Sequence, residues 1–100
     1  MGLSSEMRAK ILQFQLNEIT EYHIYTRLAQ AVKSPENRAV LQRIGEDERR
    51  HYEEWKDHTQ TSVRPNRLKV FWYTLLGRLL GVTFALKLME QGEESAQESY

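Results

Sequence analysis

The chain of 100 residues contains no cysteine, which excludes disulfide bonds, thiolate zinc sites and iron–sulfur clusters. Any bound metal would therefore need oxygen and nitrogen ligands. The 14 basic and 14 acidic side chains cancel, so no overall charge attracts nucleic acid, and we expect no nucleic-acid partner. Only two prolines and five glycines interrupt the chain, and it sustains no strand-like alternation. These absences favour a single all-α domain over residues 1–100.

The first ten residues also lack the apolar core of a signal peptide, so we expect a cytoplasmic protein. A chain of this length encloses only a modest core. A metal ion, a partner chain or a further helix would add to its stability.

Capping residues and apolar periodicity predict two helices before the first long loop. The first is capped by Ser4 or Ser5 and runs to about Val32. The second has Pro35 as its first residue and ends near Thr59. Because the connection between them is very short, we expect the two helices to pack antiparallel as a hairpin.

Charged and imidazole side chains interrupt the apolar stripes of both helices. In the first helix the stripe consists of Ile11, Phe14, Glu18, Glu21, Tyr25, Leu28 and Val32. In the second it consists of Leu41, Ile44, Glu48, His51, Trp55 and His58. Glu18 precedes the turn by about as many residues as Glu48 and His51 follow it, which places all three at roughly 23–26 Å from the turn. The sequence therefore predicts that three potential metal ligands meet at one level of the hairpin.

Burying unpaired carboxylates costs on the order of several kcal/mol, and a bound metal ion offsets this cost. Carboxylate and imidazole ligands without sulfur favour iron or manganese, with zinc as a plausible substitute. Two other interpretations stay open: Glu18 is solvated on a helix that rotates away, or His51 is a hydrogen-bonded core histidine. His23, which falls off the stripe, and His58, which lies two turns beyond His51, are weaker candidates as ligands.

A third apolar stripe follows the loop from Gln60 to Asn66, and we predict one long helix from Leu68 onward. Its stripe consists of Leu68, Trp72, Leu75, Leu79, Val82, Leu86, Met89, Glu93, Ala96 and Tyr100. The surroundings of Glu93 partly repeat those of Glu18, which indicates an internal pseudo-repeat. The chain ends on Tyr100 without a helix-stop signal, so we expect a domain truncated before a fourth helix.

The run Val70–Met89 is about long enough to span a bilayer, but Arg78 and Lys87 interrupt it. We expect a helix buried in a bundle or a dimer interface. A membrane span and a helix lying on a membrane surface are the alternatives. Gly77 and Gly81 form a GxxxG pattern, which is compatible with close helix packing or with a bend.

Three spaced pairs of residues carry a family resemblance: Glu18 with Tyr25, Glu48 with His51 in DERRHYEEW, and Glu93 with Tyr100. They resemble the rubrerythrin branch of the ferritin-like di-iron proteins, over nearly the whole chain. The segments NEITEYHIYTRLA, RLKVFWYTLL and FALKLMEQGEESAQESY are particularly similar to the rubrerythrin-like domain fused to vacuolar-iron-transporter-type membrane proteins.

The resemblance implies that Glu18, Glu48, His51 and Glu93 bind iron as part of a di-iron centre, with no catalytic residue beyond these ligands. It places Glu21, Tyr25 and Tyr100 around the ligands or at the entry for ions. The implied activity is oxidation of ferrous iron or handling of peroxide. The implied partner is a membrane iron-transporter domain, supplied with iron at the cytosolic face of a membrane.

This sequence lacks the family's fourth helix and second Glu-x-x-His, so we expect an incomplete ferritin-like four-helix bundle. Either the domain is truncated, or two chains pair their first hairpins in a homodimer or a larger symmetric oligomer. The second arrangement would restore a di-iron site with Glu18, Glu48 and His51 from each chain. The competing hypothesis is a metal-free helical adaptor that docks through the Val70–Met89 face.

Overall fold

The computed structural model describes the backbone of residues 3–98 and the side chains of residues 3–92. All regular structure in this part of the chain is helical. The four helices are α1 (Ser5–Ala31), α2 (Pro35–Thr59), α3 (Arg67–Leu80) and α4 (Val82–Glu98). The predicted all-α class is confirmed.

The predicted ends of the first two helices are also confirmed, because their caps form as the sequence indicates. The Ser4 hydroxyl accepts a hydrogen bond from the Met7 amide at 3.1 Å. Ser34 caps α2 in the same way, and Pro35 is the first residue of that helix. The residue after the last of α2, Gln60, caps the helix in a left-handed conformation with φ 54°.

Helices α1 and α2 run antiparallel, as expected from their short connection. Near the start of α1, the Arg8 guanidinium donates to the carbonyl of Thr59, the last residue of α2, at 2.9 Å. Nearer the turn, the rings of Phe14 and Trp55 lie 5.5 Å apart between their centroids. The register brings the middle of α1 beside the middle of α2.

Side chains of α1 and α2 hold the loop of residues 60–66 in place. The buried Gln15 donates to the Thr61 carbonyl at 2.8 Å and accepts from the Thr59 hydroxyl at 2.5 Å. The Tyr52 hydroxyl accepts from the Val63 amide at 2.9 Å. These bonds provide the loop with partners that its backbone would otherwise find only in water.

The prediction of a single third helix is wrong, because the chain reverses direction at Gly81. This glycine has φ 102°, a conformation that L-residues with a Cβ rarely adopt, and it separates α3 from α4. The Tyr73 hydroxyl lies 3.9 Å from the position that a Cβ on Gly92 would take. In a continuous helix these two residues would be about 28 Å apart. Helix α4 therefore folds back along α3.

Helix α3 runs parallel to α1 and covers the half of the hairpin nearest the turn. The Asn66 amide donates to the Thr20 hydroxyl at 2.9 Å, and Gly77 packs against Leu28 further along. All four helices contribute to one core, which contains Ile24, Leu28, Ala29, Leu41, Val70, Ala85 and Met89.

The face of α3 that enters this core is not the predicted one. Val70 and Gly77 are buried, whereas Leu68, Trp72 and Leu79 of the predicted stripe are 69%, 52% and 70% exposed. Because Gly77 has no side chain, α3 can turn this face towards α1 and approach it closely. Among the described residues, no helix is both long enough and apolar enough to cross a bilayer.

Candidate metal centre

Glu18 of α1 and Glu48 and His51 of α2 converge as the sequence predicts. One ligand atom from each lies within 4.8 Å of the other two. Across the two helices, His51 Nδ1 lies 3.5 Å from Glu18 Oε2, and the same nitrogen lies 4.0 Å from Glu48 Oε1 on its own helix. We call these three residues the metal group. Within residues 3–92 the structure contains no other such group of three or more acidic, histidine or cysteine ligands.

The local structure of both helices accounts for this convergence. Glu48 and His51 are three residues apart on α2 and therefore share a face of the helix. One turn earlier, Gly45 is buried, and a Cβ there would lie 3.4 Å from the Cβ of Tyr25. The missing side chain lets α1 and α2 approach closely beside the metal group.

Gly45 is a positioning residue that the sequence analysis missed. A glycine inside a helix costs about 1 kcal/mol relative to alanine, so its presence indicates a packing requirement. That cost was the available signal, since Gly45 lies one turn before Glu48 and next to Ile44 of the expected stripe.

The metal group lies at the border between the α1–α2 contact and solvent. The side chains of Glu18, Glu48 and His51 are 21%, 19% and 41% exposed. The Glu18 Oε2 atom is itself shielded from solvent. An ion could therefore reach the group from one side while the carboxylates remain largely desolvated.

The geometry and the donor types fit a transition-metal ion. Two ligand atoms that bind one ion at about 2.1 Å each stand roughly 3–4.2 Å apart. The two distances from His51 Nδ1, 3.5 and 4.0 Å, fall in this range, and the ligand atoms of Glu18 and Glu48 lie within 4.8 Å of each other. Two carboxylates with one imidazole suit iron, manganese and zinc, so the donor set by itself does not select among them.

The remaining predicted site residues are only partly described. The side chain of Glu93 and the whole of Tyr100 lie outside the described residues, so their roles stay predictions. Glu21 and Tyr25 are half-buried on α1, and Glu21 lies one turn beyond Glu18. Their predicted positions around the ligands or at the entry also stay predictions.

The other two histidines lie away from the metal group. His58 is exposed and packs against Trp55, with ring centroids 6.1 Å apart. His23 contacts Tyr22 instead, and burial lowers its pKa below the usual 6.5, with further lowering by Arg27, Arg49 and Arg67.

Comparison of the chain with known protein families, with curated proteins and with solved structures finds no match.

Proposed function

We propose that the chain binds a transition-metal ion through Glu18, Glu48 and His51, and that this ion is iron. The observation that carries the proposal is the convergence of two carboxylates and one imidazole within 4.8 Å, on two helices and beside solvent. The spacing of these residues resembles that of rubrerythrin-type proteins, which favours iron over manganese or zinc.

In the fuller form of the proposal, the domain is a ferritin-like di-iron protein to which Glu93 contributes a ligand. The second half of the site comes from another copy of the chain. Two observations support such pairing: His51 is 41% exposed, and Phe14, one turn from Glu18, is also 41% exposed. A second hairpin packed along this face would cover both side chains.

Bound iron would supply one-electron redox chemistry, suited to oxidation of ferrous iron or to handling of peroxide. The chain's own residues would hold the ion, limit its contact with water and admit further ions from the exposed side of His51. The resemblance alone supports two further elements of the proposal, a location at the cytosolic face of a membrane and the supply of iron to a transporter domain there.

The decisive experiment is an anaerobic titration with ferrous iron that follows thermal unfolding. An ion that binds only the folded chain stabilises it by about 2.7 kcal/mol at a concentration of 100 times Kd. We expect the wild type to show such a gain, and Glu48→Gln and His51→Ala to lose most of it. Glu53→Gln and His58→Ala are matched controls on the same helix, exposed and outside the metal group, and should retain the gain.

Further measurements on the same samples test the finer elements. Sedimentation with and without iron tests the shared site, which requires dimers in the iron-bound state. Oxygen or peroxide consumption during iron addition tests turnover. A monomer that binds two irons per chain would contradict the shared site and leave metal binding intact.

The alternative function, a metal-free docking module, is favoured by one observation, the exposed apolar face of α3 that includes Leu68, Phe71 and Trp72. The docking module would replace the metal proposal under two conditions. Iron would fail to stabilise the wild type, and in the absence of metal both Glu48→Gln and His51→Ala would be at least as stable as the wild type. Removal of unused, partly buried charge should stabilise the fold.

A further inference from the structure

A cleft of about 750 Å³ lies between α1 and α3, away from the metal group. Basic side chains line it from both helices, with His23 and Arg27 from α1 and Arg67 and Arg78 from α3. Apolar side chains, among them Val70, Phe71 and Leu75, form the rest of its wall. We call this feature the basic cleft.

Helix α3 and the start of α4 provide basic but no acidic side chains around the basic cleft. The chain has no Asp or Glu between Asp57 and Glu90, and this interval contains Arg64, Arg67, Lys69, Arg78 and Lys87. A chain without net charge therefore has a positively charged side, and such a surface attracts anions.

The environment of His23 agrees with a concentration of positive charge at the basic cleft. Burial lowers the pKa of His23, and Arg27, Arg49 and Arg67 lower it further by repelling a second positive charge. An anion in the basic cleft would relieve this repulsion. The Thr74 hydroxyl, also at the cleft, makes no hydrogen bond to any described residue.

A large apolar surface adjoins the basic cleft. Six apolar side chains of α3 and early α4 are at least 44% exposed: Leu68, Phe71, Trp72, Leu79, Leu80 and Phe84. Contiguous exposed apolar surface in a soluble chain marks an interaction site. An apolar helix face with basic residues beside it and no acidic residue is typical of helices that lie in a membrane interface.

We propose that the α3–α4 hairpin docks on the surface of a bilayer that contains anionic phospholipid. A lipid phosphate occupies the basic cleft between Arg27, Arg67 and Arg78, while Phe71 and Trp72 enter the boundary between headgroups and acyl chains. A soluble phosphate would satisfy the arginines but leave the apolar side chains in water, and a lipid satisfies both. The inference is independent of metal binding, since it uses none of the metal group.

Flotation of the full chain with vesicles tests the electrostatic part. We expect binding to phosphatidylcholine vesicles that contain phosphatidylserine to exceed binding to phosphatidylcholine alone by at least about tenfold, and to weaken as salt is added. The double variant Arg67→Gln/Arg78→Gln should lose about tenfold in affinity for the anionic vesicles. The variant Lys33→Gln/Arg43→Gln removes the same charge from exposed positions outside the cleft and should bind like the wild type.

Fluorescence of Trp72 tests the apolar part. In the Trp55→Phe variant Trp72 is the sole tryptophan. Its emission should shift to shorter wavelength on anionic vesicles, and brominated acyl chains should quench it. Phe71→Ser should weaken vesicle binding several-fold. Val40→Ser, at a position 50% exposed on α2, should not change it. Circular dichroism of each variant verifies that it is folded.

Four outcomes would overturn the proposal. The first is equal binding to neutral and anionic vesicles, and the second is no binding to either. The third is full competition by millimolar inorganic phosphate without any shift of the Trp72 emission. The fourth is self-association that Phe71→Ser abolishes while vesicles have no effect. The third would assign the cleft to a soluble anion, and the fourth would assign the apolar surface to a second copy of the chain.

Discussion

Gly77 of α3 packs so closely against Leu28 of α1 that a Cβ on residue 77 would overlap the Leu28 Cδ2 atom. Leu28 is completely buried, so its side chain would have to shift within the core to admit a Cβ at this position. On the other side, the Cβ of Ala85 in α4 lies 3.8 Å from the same position. This contact determines how closely α3 and α4 approach the α1–α2 hairpin.

Replacement of Gly77 by alanine should therefore destabilise the protein. Overpacking a core costs about 1–3 kcal/mol, and the gain in helix propensity returns at most about 1 kcal/mol. We expect a net loss of about 1–2 kcal/mol in the free energy of unfolding, measured by urea denaturation. Gly92→Ala is the matched control in α4, where among the described side chains the new Cβ would meet the Tyr73 hydroxyl alone, at 3.9 Å, and it should be neutral or slightly stabilising. A Gly77→Ala protein as stable as the wild type would contradict the packing described.

Gly81→Ala should destabilise the chain for a different reason. A Cβ at this position would meet nothing within 4 Å, so the cost comes from φ 102° alone. A strained backbone conformation of this kind costs on the order of 1–3 kcal/mol. Spin labels on residues 73 and 92 would report the geometry by their separation. We expect a short distance between the labels in the wild type and a longer, broader distribution of distances in Gly81→Ala. Identical distance distributions in the two proteins would refute a hairpin that depends on glycine.

The buried pair of Gln15 and Thr59 should contribute measurably to stability. Thr59→Val removes the hydroxyl that donates to Gln15 Oε1, and the buried amide oxygen is then left without this donor. We expect a loss of about 1–3 kcal/mol, the cost of an unsatisfied buried polar group. The exposed hydrogen bond from Gln13 to Asn17 provides the control, and Gln13→Met should change the free energy of unfolding by less than about 0.5 kcal/mol. The Gln15→Met/Thr59→Val double variant provides the check. If its loss in the free energy of unfolding exceeded the sum of the losses of the two single variants, the hydrogen bond would not explain the effect.

Protonation of His23 should reduce stability at mildly acidic pH. Its pKa in the folded chain is lower than the unfolded value of 6.5, chiefly through burial and then through Arg27, Arg49 and Arg67. Above pH 6.5 the imidazole is neutral in both states and has no effect. As the pH falls from 6.5 to the folded pKa, the unfolded state binds the proton first, so stability declines, and below the folded pKa the loss is constant. NMR titration should give a pKa below 6.5 for His23, and His23→Gln should remove this part of the pH dependence; a value at or above 6.5 would contradict it.

The sequence predicts the first two helices and their register well because local interactions determine them. Ser4 and Ser34 cap their helices through bonds to residues three positions later, and a short turn permits only an antiparallel pair. The convergence of Glu18, Glu48 and His51 follows from helix geometry and chain length. The amount of burial does not follow, because Gln15, Ile24 and Gly45 are buried although they lie beside the predicted stripes.

The third and fourth helices could not be predicted in the same way. The apolar stripe keeps its spacing on both sides of Gly81, so periodicity alone describes one long helix. The two interpretations of the GxxxG pattern, close packing and a bend, apply to different glycines, with Gly77 at the close contact and Gly81 at the reversal. The basic cleft combines residues from α1 and α3, and its only signal in the sequence is the absence of acidic residues between Asp57 and Glu90.

The short link Val32–Ser34 has a consequence for the order of folding. Contacts across α1 and α2 close only a small loop near this link, whereas α3 must first be brought back by the longer segment after Thr59. Local contacts form faster than distant ones. We therefore expect the helical pair that carries the metal group to assemble before α3 and α4 dock, so an ion that binds this pair would accelerate folding and have little effect on the rate of unfolding.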